Sequence, residues 1–204
     1  MAERILHELP LAAAWQPVLA RELGGADRDA RAAPGVATSA APPSRTQQQL
    51  RAEIEQRARE LGLQRVRWPE PFPFDSELAM RVAGYAQQIG RAVPFAQAAF
   101  RQAYAGGRSL QQQDNVLIAA AACEMHPRSV LAAARSRSAA EHLARTTSEA
   151  AEAGVCEVPA IVLPARGSDE QPQVLQGADA LTRALALIGS ATGSTRPSRM
   201  TRSA

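Results

Sequence analysis

The chain has 204 residues, 46% of them hydrophobic, and a net charge of +3, enough for one domain or one domain with an inserted subdomain. All 23 basic residues are Arg, interleaved with 20 acidic residues along the expected helices, which argues against a nucleic-acid footprint. Two cysteines are too few for a disulfide scaffold, and no apolar run is long enough to span a bilayer.

The start, Met1-Ala2-Glu3-Arg4-Ile5-Leu6, lacks the apolar run of a signal peptide, so a cytoplasmic protein is expected. Ile5, Leu6 and Leu9 share one side of an expected helix over residues 3–9, which Pro10 stops. Residues 13–19 (Ala-Ala-Trp-Gln-Pro-Val-Leu) read as a strand, with Pro17 placing it at an end or a bulge. Gly24 to Pro43 is rich in Ala, Gly, Pro and Ser without periodicity and reads as a flexible loop. Ser44 or Thr46 can cap the next helix, with Gln47 or Gln49 as box partner. That helix runs to about Leu61, with Leu50, Ile54, Arg57 and Leu61 on one face.

Trp68-Pro69-Glu70-Pro71-Phe72-Pro73-Phe74-Asp75 is a proline-stiffened extended segment, and Asp75 or Ser76 can cap a helix over 77–89. Further helices are expected over 94–104, 114–123 and 127–134, the last with Pro127 in its first turn behind His126. Leu78, Val82, Tyr85, Phe95, Phe100, Leu117 and Leu131 supply the apolar faces of an all-helical region. A long helix then runs from about Ser138 to Ala153.

The rest of the chain is organised around Glu149–Leu163. Gly154 fits the left-handed position that ends a helix, and Val158-Pro159 leads into the apolar strand Ala160-Ile161-Val162-Leu163. Val-Pro can be trans, as in an ordinary helix-to-strand turn, or cis. A cis bond turns the Val158 N–H and C=O outward, toward an extended peptide-like ligand. Val174-Leu175-Gln176 reads as a second strand, Gly177-Ala178-Asp179 as the turn that opens the last helix, and Ser190 onward as a disordered tail.

Helix, Gly-Val-x-x-Val-Pro, strand and Gly-x-Asp turn resemble the C-terminal half of a thioredoxin fold. The likeness is to the DsbA-like branch that holds 2-hydroxychromene-2-carboxylate isomerases and kappa-class glutathione transferases. In that branch the motif reads Gly-Val-aromatic-Gly-Val-Pro-Thr; here Cys156, Glu157 and Ala160 replace the aromatic residue, the second Gly and the Thr. The early Glu-Arg-x-Leu run and Trp15-Gln16-Pro17-Val18-Leu19 also match, with Gln16 in place of Arg. The resemblance covers residues 2–187.

The resemblance implies an α/β, thioredoxin-like fold with an inserted all-helical subdomain, truncated at its N-terminal end. Its parts are residues 1–23 (helix end and strand), 24–43 (loop), 44–137 (helical insertion), 138–189 (C-terminal half of the thioredoxin fold) and 190–204 (tail). In the family a first strand and a Ser-Pro or Cys-Pro nucleophile segment precede the first helix. Met1 falls inside that helix, so the resemblance implies a start upstream of Met1 or a degenerate member without its nucleophile. The catalytic residue is therefore unknown, with the Cys156 thiol as a weak candidate beside the ordinary reading of a small buried hydrophobe.

The implied cofactor is glutathione or another low-molecular-weight thiol, held by Val158, Pro159, Gly177, Ala178 and Asp179, with Asp75 at the position of a family Asn. Asp179 would accept the thiol's ammonium group or, on the structural reading, only cap the last helix. The family's Tyr and Asp on the helix that runs to about Leu61 become Gln49 and Glu53. The implied substrate is aromatic or chromene-type, its isomerisation proceeding by reversible thiol addition. A thiol–disulfide oxidoreductase follows instead if the nucleophile segment holds Cys, and a non-catalytic binding module is the alternative of a different class. No nucleic acid, membrane or metal partner is expected, and the resemblance allows a homodimer. Cys123 and His126 form half of a Cys-x-x-His metal pattern, but His126 reads better as a helix cap, and His7 and His142 as surface residues.

Overall fold

The computed structural model describes residues 13–23, 47–165 and 171–193. Its elements are α1 (Gln47–Glu60), α2 (Glu77–Gln88), α3 (Ala92–Phe100), a π-helical turn (Arg101–Ala105), α4 (Gln113–Ala121), α5 (Pro127–Arg135), α6 (Arg137–Glu152), β1 (Ala160–Leu163), β2 (Gln173–Gln176) and α7 (Ala180–Gly193). The described elements are mostly helical, with a small two-stranded sheet. The chain divides into two compact units, Trp15–Ser148 and Glu149–Ala204 with Met1–Ala14, the cut falling inside α6. No described helix is long and apolar enough to cross a membrane.

In the larger unit the helices meet through small side chains. Ala79, Val82 and Ala86 follow helical spacing along α2 and pack with Phe95, Ala99, Ala103, Val116, Ala119, Val130 and Ala134. Alanines at these contacts allow close helix approach, and Phe95 fills the largest share of the volume. Leu78, Tyr85 and Leu117 pack against this core as expected, whereas Phe100 is 59% exposed. Phe95 and Ala99 take the inward face of α3, and Phe100, one residue on, is carried off it. α3 starts two residues earlier than expected, with Pro94 in the first turn, where its missing N–H is harmless. α4 ends at Ala121, so Cys123 lies beyond it, against the expectation of a helix through 123.

Residues 13–19 correct another expectation. They form no ladder with any described strand. Side chains of α6 take their polar groups instead: Thr147 Oγ1 accepts the Leu19 N–H at 3.1 Å, and Thr146 Oγ1 donates to the Pro17 carbonyl at 3.0 Å. Both threonines are buried, so these bonds satisfy groups that would otherwise be desolvated and unpaired.

In the smaller unit, β1 and β2 pair antiparallel with Ala160 opposite Gln176, Ile161 opposite Leu175, Val162 opposite Val174 and Leu163 opposite Gln173. Alternation turns Ile161 and Leu163 toward Leu175, Ala180, Ala184 and Leu187, and leaves Val162 exposed. α7 covers this face and continues to Gly193, four residues past the expected boundary at 189. The helix read over 3–9, the loop over 24–43, the caps at Ser44 and Thr46, His7 and the tail beyond Gly193 lie outside the described residues.

Candidate functional site

The turn between α6 and β1 is built as its sequence suggests and then fastened from a distance. Gly154 has φ of +89°, a left-handed value that a side chain would disfavour. Its N–H bonds the Ala151 carbonyl at 2.9 Å, and the Val155 N–H bonds that of Ala150 at 2.9 Å, closing the helix with a Schellman pair. Val155 is buried beneath this cap.

The Gln176 side chain then reaches back from the end of β2. Its Oε1 accepts the N–H of Cys156 at 2.6 Å and of Glu157 at 2.7 Å, and its Nε2 donates to the Gly154 carbonyl at 3.3 Å. One amide thus holds three backbone groups of an exposed turn. The Gly177 N–H bonds the Pro159 carbonyl at 3.0 Å, continuing the pairing of the two strands past their ends.

Val158-Pro159 is a cis bond, the alternative that opens Val158 outward. Val158 is 43% exposed, and neither its N–H nor its C=O has a partner among the described residues. Such a step, without backbone partners among the described residues and lying between two fixed points, can pair with the backbone of an extended ligand.

The same strand pair sets the Gly177 turn beside it. Gly177 has φ of +84°, and its carbonyl accepts the Ala180 N–H at 3.2 Å. Ala178 and Asp179 are exposed at the mouth of α7. The Asp179 carbonyl accepts the Arg183 N–H at 3.0 Å, while its carboxylate bonds no described residue, so the side-chain cap of the structural reading is not formed. Val158, Pro159 and Gly177 are therefore brought together, with Ala178 and Asp179 following in the turn.

Cys156 is exposed, not the small buried hydrophobe of the ordinary reading, and its Sγ lies 3.6 Å from the Gly154 carbonyl. Cys123 is buried and donates to the Ala119 carbonyl at 3.3 Å; burial pushes its thiol pKa up, only partly offset by Arg91, and makes it a poor nucleophile. His126 caps α5, its Nδ1 accepting the Arg128 N–H at 3.2 Å. Among the described residues no three His, Cys, Asp or Glu side chains converge as a metal site.

Asp75 belongs to the larger unit, at the start of α2. Ser76 occupies the N-cap position without making a side-chain cap bond. Asp75 supplies it instead: its Oδ1 accepts the Glu77 N–H at 3.0 Å and pairs with the Arg21 guanidinium. Arg21 also bonds Glu77 Oε2 at 2.7 Å, and Glu77 pairs in turn with Arg81. The Glu77 N–H holds the Asp75 carboxyl below its ordinary range against the opposing effect of burial, and Arg21 adds to the lowering. Arg21 and Arg81 lower that of Glu77.

Gln176 and Arg21 are the residues that sequence reading missed. Gln176 sits in an unremarkable polar slot at a strand end, and Arg21 among other surface charges. Only the contacts across 20 and 54 residues of chain distinguish them.

A family model of the DSBA-like thioredoxin domain matches residues 26–188. No curated protein matches the chain. Among solved structures, a selenomethionine 2-hydroxychromene-2-carboxylate isomerase superposes with a TM-score of 0.69 at 14% identity, over 93% of this chain and 86% of that one. A probable DsbA oxidoreductase from Streptomyces coelicolor superposes with a TM-score of 0.60 at 20% identity, over 78% of this chain and 67% of that one. At these identities the likeness establishes the fold.

Proposed function

The chain belongs to the DSBA-like thioredoxin-domain family, and from that premise we propose that it binds glutathione or another low-molecular-weight thiol along Val158 and uses it to isomerise an aromatic, chromene-type substrate. The observation that carries this reading is the unpaired Val158 backbone, fixed beside the Gly177–Asp179 turn by Gln176 and by the bond from Gly177 to Pro159. The N–H and C=O of Val158 pair with the cysteinyl amide of the thiol. The Asp179 carboxylate, without a partner among the described residues, accepts the ligand's ammonium group.

In this reading the sulfur comes from the ligand. The bound thiol, as thiolate, adds to the conjugated system of the opened substrate. A proton is taken up, the bond that had been double rotates, and the thiolate leaves as the proton is lost, so no net oxidation or reduction occurs. No side chain of this chain is assigned the role of activating the thiol.

A second reading, a binding module without chemistry, is favoured by Asp75. Its Oδ1 already serves the Glu77 N–H and Arg21, so it is a structural group at the position where the family presents an Asn to the thiol. Calorimetric titration with glutathione, alongside a spectrophotometric assay of a chromene carboxylate with and without thiol, separates the readings. The isomerase gives binding and thiol-dependent turnover, and the module gives binding alone. Insulin reduction would instead support an oxidoreductase. Absence of thiol binding together with absence of turnover would sink the isomerase.

A further inference from the structure

Glu157 stands where the family motif has its second Gly, and the structure gives its carboxylate a definite place. The Glu157 N–H is held by Gln176 Oε1 at 2.7 Å, which fixes the residue's backbone. Its Oε1 lies so close over Gly177 that a Cβ built there would meet it at 3.4 Å. The side chain therefore leans from one wall of the site, next to Val158, onto the other, next to Asp179. Glu157 is exposed, and its carboxylate, like that of Asp179, takes no hydrogen bond or ion pair from any described residue.

The surrounding charge points the same way. Among the described residues of the smaller unit, the carboxylates at this turn are Glu157 and Asp179, and the guanidinium is that of Arg183. Arg183 follows Asp179 by one helical turn and forms no ion pair with it. A ligand lying along Val158 with its end at Gly177 meets two negative groups there, with Arg183 one helical turn further on.

We propose that Glu157 makes the Val158 site selective for thiols whose group beside Gly177 is an ammonium rather than a carboxylate. This inference rests on the thiol-binding reading above and narrows its ligand class to amine-bearing thiols, the ammonium at that end being favoured and a carboxylate there disfavoured. Glutathione carries both groups on its γ-glutamyl end, so the two can be separated chemically without changing the rest of the molecule.

The test is calorimetric titration of the full chain with two tripeptide analogues. 4-Aminobutanoyl-cysteinyl-glycine keeps the ammonium and lacks the α-carboxylate; glutaryl-cysteinyl-glycine keeps the carboxylate and lacks the ammonium. The first is expected to bind about five- to tenfold more tightly at low salt, the preference shrinking as salt is raised. Glu157→Gln, a near-isosteric change at an exposed position that leaves the backbone bond to Gln176 in place, is expected to reduce the ratio at least twofold. Equal binding of the two analogues, tighter binding of the glutaryl analogue, or a ratio that Glu157→Gln leaves unchanged would overturn the inference while leaving thiol binding intact. Failure of both analogues and of glutathione to bind overturns the thiol-binding reading and the inference with it.

Discussion

Two aspartates stand at helix starts in this chain, and they are used in opposite ways. Asp75 precedes α2 and is saturated: it accepts a backbone N–H, pairs with Arg21, and through Glu77 joins a chain of alternating charges that reaches Arg81. Asp179 precedes α7, two residues after the Gly177 that bonds Pro159, and among the described residues neither its carboxylate nor the Val158 backbone has a partner. Local sequence makes the two look alike, each an acid before a helix. A neighbour distant in the chain, Arg21, helps make one a structural tie, and the other has no side-chain partner among the described residues. The proposed site rests on such hydrogen-bonding groups, unfilled among the described residues inside a well-fastened turn, more than on residue type or position in a motif.

Removing the fastening should blur that contrast most. Gln176→Ala deletes three hydrogen bonds to the 154–157 turn, each worth about 0.5–1.5 kcal/mol net, so a loss of about 1.5–4.5 kcal/mol in chemical denaturation is expected. The same variant should weaken thiol binding in calorimetry, because Val158 would no longer be held in place. A variant that lost stability but bound glutathione unchanged would show that the open backbone step does not depend on its frame.

The punctuation of this region was legible in the sequence because it is local. A Gly after a helix, a Val-Pro step before an apolar run and a Gly-x-Asp before another helix each impose a backbone shape within a few residues. The fastening was not legible. Gln176 reaches Cys156 and Glu157 across the strand pair, and nothing in Val174-Leu175-Gln176-Gly177 separates it from a solvated strand end. The same limit produced the error at residues 13–19. Trp15, Val18 and Leu19 gave the segment strand-like character, but its polar groups are met by Thr146 and Thr147, more than a hundred residues later. Phe100 was assigned to the core on residue type, whereas the phase of α3, set by Phe95 and Ala99, turns it outward.

A smaller effect is expected at Asp75, and its sign follows from the ion pairs. Its folded-state pKa lies below the ordinary value, so it contributes stability that is present above the unfolded-state pKa, near 4, and is lost as pH falls through the folded-state value. Asp75 and Arg21 are each about half exposed, so screening limits the contribution to under about 1 kcal/mol. Asp75→Asn should therefore lower the denaturation midpoint slightly at pH 7 and flatten its decline between about pH 5 and 2. An unchanged acid limb would show that Arg21 and Glu77 hold the start of α2 without Asp75.

Asp179→Asn should change stability least, because its carboxylate has no described partner to lose: a shift within about 0.5 kcal/mol is expected. Its effect should appear in binding instead, as about a five- to tenfold weaker calorimetric affinity for glutathione, corresponding to the loss of one exposed charge pair with the ligand's ammonium. The two aspartates then form a reciprocal pair, one substitution read in stability and acid response, the other in affinity. If Asp179→Asn destabilised the fold as much as Asp75→Asn and left binding alone, Asp179 would be a structural group like Asp75. The open site would then reduce to the Val158 backbone and the Glu157 carboxylate.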